Sequence, residues 1–184
     1  MKNKLFLTGE RGVGKSTLIN RFTQTLDFDP YGFQTLPSKT EKSGRDTLII
    51  RPYSADLPYD RDPAPGRGNV AVVASRGKHG QIRNVNIDAF EKTGAEILRI
   101  SLAASGSPRL IIMDELGFME SEAYIFQSEV FRCLDGRTPV LGLLRAASTP
   151  FLDGIRVHDD VVIIEVTVKN REQIFEELLA LKHY

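Results

Sequence analysis

The residues Gly9-Glu10-Arg11-Gly12-Val13-Gly14-Lys15-Ser16-Thr17 fit the pattern G-x-x-x-x-G-K-[ST]. In that pattern backbone N–H groups converge on phosphate, and the dipole of the helix that follows favours negative charge. Lys15 would reach the outer phosphates as a point charge, and the Ser16 hydroxyl would ligate Mg²⁺. Both flanks suit this chemistry. Leu5-Phe6-Leu7 reads as a short apolar strand, and Leu18, Ile19, Phe22 and Leu26 recur behind the loop at helical spacing. The alternative is a chance glycine turn before a helix. With strand, loop and helix in this order, the pattern implies a nucleoside triphosphate ligand.

A second group of residues could act on the same ligand. Leu110-Ile111-Ile112-Met113 is an apolar run that ends in Asp114-Glu115, the form of a Walker B element. Asp114 is the expected metal residue with Ser16, because Mg²⁺ takes oxygen ligands and keeps several waters. Glu115 is placed to orient and polarise the water that attacks the γ-phosphate. Its alternative role is a strand-end acid that caps the next element. Arginine usually meets the charge that builds on a transferring phosphoryl group. Arg145, after the apolar strand Val140 to Leu144, is the first candidate and Arg76 the second, while Arg11 lies within the loop itself. Each could equally be a solvated surface arginine.

Positioning these groups takes alternating strands and helices. Strands are expected at Tyr31–Thr35 and Thr47–Tyr53, which the Ser43-Gly44 turn would join as an antiparallel hairpin. Pro52 to Gly68 reads as a long loop, and Val70–Ala74 restarts the core as a buried strand. Asp88 and Glu91 look like a capping box for a helix that carries Phe90, Ile97, Leu98 and Leu102 and ends at Gly106 and Pro108. A helix from Ser121 to Leu134, strands at Val140–Leu144 and Val161–Val166, and a last helix capped by Asn170 and Gln173 complete the order. The fold class expected is α/β with three layers: a mainly parallel sheet, helices on both faces, and an antiparallel hairpin insertion. Ligands of such sheets sit at the carboxyl ends of the strands, where both motifs lie.

The remaining residues exclude more than they assign. Residues 1–184 read as one domain of ordinary globular composition, 41% hydrophobic and 26% charged. Lys plus Arg and Asp plus Glu both total 24, so nothing in the balance points to nucleic acid or an anionic membrane. No run approaches a membrane span and no signal segment opens the chain, so the expected compartment is the cytoplasm. The single cysteine, Cys133, falls in register with Phe126 and Val130 and is expected to pack in the core. His79, His158 and His183 lack metal-ligand spacing. Gly77-Lys78-His79-Gly80 reads as a turn. Lys169-Asn170-Arg171 follows the last strand, where many P-loop folds contact the base.

Several segments occur in an order that resembles the thermophilic-type, cancer-related nucleoside-triphosphatase family. They are Gly12 to Leu18, Gly32-Phe33-Gln34-Thr35, Ile87 to Glu91, Asp114-Glu115-Leu116-Gly117-Phe118-Met119-Glu120 and Val166 to Arg171. The resemblance runs from about Leu5 to Leu181 and rests most on the D-E-x-G-x-M-E segment. It implies a RecA-like P-loop domain that hydrolyses nucleoside triphosphates with Mg²⁺, slowly and with loose base preference. It carries phosphate binding to Gly9–Thr17, the metal to Asp114 and the water to Glu115, with Glu120 helping to organise the site. This chain departs from the family at Leu36-Pro37-Ser38-Lys39, at Phe118 and at Arg145, and its proline-rich loop is longer. Beside a stand-alone hydrolase, the residues leave open a nucleotide-gated switch and a kinase. Arg61 and Arg67 are the only hint of a kinase lid, and no protein partner can be read from the chain.

Overall fold

The computed structural model describes residues 3–39, 46–54, 70–77, 81–106 and 109–181. Strand β1 (Lys4–Thr8) runs into the glycine loop and helix α1 (Lys15–Thr23). Strands β2 (Tyr31–Lys39), β3 (Asp46–Pro52), β4 (Ala71–Arg76) and β5 (Ile82–Arg83) follow. A continuous helical stretch comes next: α2 (Ile87–Ala89), a π turn (Phe90–Gly94) and α3 (Ala95–Ala103). Then come β6 (Ile111–Leu116), α4 (Tyr124–Asp135), β7 (Val140–Leu144), α5 (Pro150–Arg156), β8 (Val161–Glu165) and α6 (Arg171–Leu181).

All the described strands join one sheet in the order β5-β4-β3-β2-β6-β7-β1-β8. From β2 to β8 every neighbour is parallel, whereas β2, β3, β4 and β5 pair antiparallel in succession. The expected antiparallel hairpin is β2–β3. It extends the sheet past β2, because the edge of β2 away from β6 offers unpaired amides that β3 satisfies.

Two cores explain the layers. Ile111 and Met113 pack with Phe90, Leu98, Phe126, Val130 and Leu152 on one face. Ile112 packs with Leu7, Leu18, Ile19, Ile174 and Leu178 on the other. A strand apolar on both sides belongs at the centre of a covered sheet, and each such fully buried aliphatic side chain contributes about 1.5–3 kcal/mol. Cys133 is buried in the first core, as its helical register predicts.

Several local expectations change. Strand β4 is half exposed rather than buried, with Val72 at 44%, because it lies one strand from the sheet edge. The Asp88–Glu91 capping box does not form. The helix starts earlier, at Asn86, whose Oδ1 accepts from Ala89 N at 3.2 Å. Asp88 instead pairs with Lys92. Glu91 accepts from Ile125 N at 2.8 Å, so it serves the start of α4, which has no side-chain cap of its own. That start falls at Tyr124 rather than Ser121, since Ser121 and Ala123 close turns onto Phe118 and Glu120. Asn170 turns back to Thr167 N and Glu165 O, and Gln173 donates to Glu177, so neither caps α6 with its side chain. The sequence reading missed β5 and α5, although Thr149 and Pro150 carry a clear start signal for α5: Thr149 Oγ1 accepts from Leu152 N.

The Ser43-Gly44 turn, Pro58 to Gly68 with Arg61 and Arg67, Lys78-His79-Gly80, Pro108 and His183 lie outside the described residues. No described helix is long and apolar enough to cross a membrane.

Candidate active site

The site forms where β1, β6 and β7 end side by side. Gly9, Gly12 and Gly14 all have positive φ, at 127°, 87° and 99°. At Gly9 a second reason applies: a Cβ there would stand 2.4 Å from Val166 O. Only glycine lets the loop leave β1 so close to β8. Gly14 then opens α1 as its left-handed cap residue. Lys15 folds back and donates to Gly9 O and Glu10 O, both at 2.8 Å. Burial lowers its pKa, and the nearby Glu115 carboxylate opposes that shift. Ser16 Oγ donates to Asp114 Oδ1 at 3.4 Å, across nearly a hundred residues of sequence. Asp114 is almost fully buried, at 4% exposure.

Glu115 and Arg145 meet directly. Arg145 Nε donates to Glu115 Oε1 at 2.5 Å, and the guanidinium lies 5.7 Å from the centre of the Phe118 ring. The segment after β7 that carries Arg145 is braced from α5. Arg156 donates to Arg145 O and Ala147 O at 2.6 and 2.7 Å, and it pairs with Asp153. Close enough to feel both charges, the wholly buried Glu120 accepts from Gly117 N at 2.9 Å. Its second oxygen has no partner among the described residues. Burial pushes the Glu120 carboxyl up to about 7, close to the operating range of a proton-exchanging group.

A cavity of about 730 Å³ gathers these groups. Every residue from Gly9 to Thr17 lines it except Val13, which packs toward the second core. Asp114, Glu115, Arg145 and Arg76 line it as well. The sequence reading did not anticipate that Phe118, Met119, Thr35, Leu48 and Ile82 line the same cavity. It also missed a buried polar row beside Asp114 in the sheet. Gln34 is paired with Asp114 across β2 and β6, and its amide oxygen accepts from Arg51 Nε and Nη2 at 2.8 Å. Two residues on, Tyr53 Oη joins Thr23 and Asn20 of α1 at 2.8 Å each. Arg51 and Tyr53, two residues apart at the end of β3, are the trace this row leaves in the sequence.

The NTPase family model matches residues 4–179 of the chain. The chain belongs to the NTPase family. Its likeness to named members covers nearly the full length. The nucleoside-triphosphatase THEP1 of Thermotoga maritima is 29% identical over 180 residues, which are 97% of this chain and 94% of that protein. The cancer-related nucleoside-triphosphatase homolog of Mus musculus is 29% identical over 196 residues, covering 98% and 97%. The crystal structure of THEP1 from Aquifex aeolicus superposes with a TM-score of 0.72 at 26% identity, covering 98% of this chain and 99% of that one. The family resemblance and the α/β P-loop fold drawn from the motifs both hold. As an NTPase family member, the chain is a nucleoside-triphosphate phosphohydrolase.

Proposed function

We propose that residues 1–184 form one catalytic domain that hydrolyses nucleoside triphosphates to the diphosphate and phosphate, with Mg²⁺ and loose base preference. The observation that carries this reading is the meeting of Lys15, Ser16, Asp114, Glu115 and Arg145, from three strand ends, around one cavity.

Each residue has a role that follows from its place. The loop amides of Gly9–Thr17 cradle the phosphates, and Lys15 exchanges its two carbonyl partners for outer phosphate oxygens. Ser16 and Asp114 fit a small hard cation. They present a hydroxyl and a carboxylate oxygen 3.4 Å apart, and the described residues contain no cluster of three acidic, histidine or cysteine ligands. Mg²⁺ suits this donor set, since it keeps waters and shares substrate phosphates rather than entering an all-protein cage. When bound, it neutralises charge on the outer phosphate oxygens.

Glu115 orients the attacking water and accepts its proton as the water oxygen bonds to the γ-phosphorus. The bond to the bridging oxygen breaks, and the diphosphate leaves with that electron pair. Arg145 gives up Glu115 for the γ-phosphate, which frees the carboxylate for the water and brings positive charge to the transition state. Loose base preference is supported by Asn170, whose amide is engaged within its own turn at Thr167 and Glu165.

Phosphate release by wild type and Glu115→Gln, with ATP, GTP, CTP and UTP, in Mg²⁺ or in EDTA, tests this function. Expected are Mg²⁺-dependent release on several bases and its loss in Glu115→Gln. Equal release in EDTA would overturn the metal assignment, and release from one base alone would overturn the loose preference.

A further inference from the structure

The cavity is lined by residues beyond the phosphate loop and the strand-end acids, and the strand order says on which side they lie. The loop follows β1, and Asp114 and Glu115 end β6 two places along the sheet. Lys15 and Ser16 serve the outer phosphates, so the chain of phosphates points from the loop toward these carboxylates. Beyond them the sheet continues through β2, β3, β4 and β5. Thr35, Leu48, Arg76 and Ile82 from these four strands line the cavity together with Phe118 and Met119. With the phosphates running from β1 toward β6, the nucleoside would leave the loop on the β8 side. The far chamber therefore lies past the γ-phosphate, on the side from which a nucleophile approaches.

Its chemistry is uneven in a telling way. The walls are mostly apolar, but the Arg76 side chain makes no hydrogen bond or ion pair with any described residue. Thr35, at the wall, has a hydroxyl oxygen shut off from solvent and without a partner among the described residues. An apolar chamber with a few unsatisfied polar groups is the form of a small-molecule site. The arginine asks for an anion, and its distance from the loop, at the end of β4, leaves it outside the triphosphate cradle.

We infer that the chamber binds a second substrate, a small hydroxylated organic anion, and that the enzyme passes the γ-phosphoryl group to its hydroxyl as well as to water. The inference rests on the reading of Asp114 and Glu115 as flanking the γ-phosphate. The acceptor's hydroxyl oxygen bonds to the γ-phosphorus and its proton goes to the Glu115 carboxylate. The bond from phosphorus to the bridging oxygen breaks, and the nucleoside diphosphate leaves with the electron pair. Arg76 holds the acceptor's carboxylate, while Leu48, Ile82 and Phe118 pack on its body.

The test follows radiolabel from the γ-phosphate of ATP in the presence of glycerate, lactate, 4-hydroxybutyrate or 3-hydroxybenzoate. These probes span aliphatic and aromatic bodies. The readout is the ratio of phosphoester to free phosphate. At least one probe should yield ester with wild type. Arg76→Ala should lower the ratio about tenfold or more, the size expected for one charged hydrogen bond, and Ile82→Trp should lower it by filling the chamber. Free phosphate alone across the panel would overturn the inference, as would an ester ratio unchanged in both variants. Wild-type phosphate release by Glu115→Gln would instead sink the underlying reading of the site.

Discussion

The two halves of the sheet meet a ligand by different means. In the parallel half, β1, β6 and β7 deliver backbone amides, a folded-back lysine, two carboxylates and an arginine to one point. In the antiparallel half, β3, β4 and β5 deliver ordinary side chains, chiefly Leu48, Arg76 and Ile82, to the wall of the same cavity. Phosphate demands donors at set positions, and three glycines with positive φ provide the backbone that holds them. A chamber wall demands only shape and one charge, which many sequences supply. The difference teaches where specificity has room to vary within one fold.

Breaking the parallel half should abolish activity outright. Lys15→Ala removes the cation nearest the outer phosphates and should cost about a hundredfold or more in kcat, read by phosphate release. Normal turnover would remove Lys15 from the reaction. Glu115→Gln should lose roughly a hundredfold to ten-thousandfold in kcat, the span of a positioned general base, while nucleotide affinity measured by calorimetry holds. Loss of affinity to the same degree would make Glu115 a binding group.

The seam between the halves can be broken separately. Gly32 on β2 has φ of 105°, and a Cβ there would stand 1.9 Å from Ile112 O of β6. Gly32→Ala should destabilise the fold by roughly 3 kcal/mol or more in urea unfolding, combining a forbidden φ with a backbone clash. A stable variant would mean the two halves can separate slightly without loss. Within the parallel half, Arg145→Ala should lower kcat by about tenfold to a hundredfold with a smaller change in KM, as for an interaction made in the transition state. A rise in KM alone would assign Arg145 to ground-state binding.

The smallest effect sharpens the picture around the buried Glu120. Its folded pKa, about 7, lies above the ordinary 4.5. Between those values the native state keeps a proton that the unfolded chain releases, so this group lowers stability progressively as pH rises from 4.5 to 7. Above 7 the whole cost is present, on the order of 3 kcal/mol at most. Glu120→Gln should therefore gain stability over wild type at pH 8 relative to pH 5, measured by urea midpoints. An identical difference at both values would mean that Glu120 does not titrate in this range.

The sequence by itself determined the phosphate loop, the strand-end acids and the alternation of strands and helices. Gly9, Gly12, Gly14, Lys15 and Asp114 belong to patterns whose chemistry depends on local backbone and close spacing, so they are legible without neighbours. The double-sided burial of Ile111, Ile112 and Met113 was legible for the same reason: a continuous apolar run must be covered on both faces. Only the tertiary structure decided which arginine meets Glu115, because Arg145 and Arg76 look alike in sequence and differ by the strand order that places β7 beside β6 and β4 beyond β3. It decided that Glu91 serves α4 rather than its own helix, since a carboxylate takes whichever free amide packing brings near. It also joined Arg51 to Gln34 beside Asp114. Buried polar groups must find partners, and only the pairing of distant strands specifies which ones.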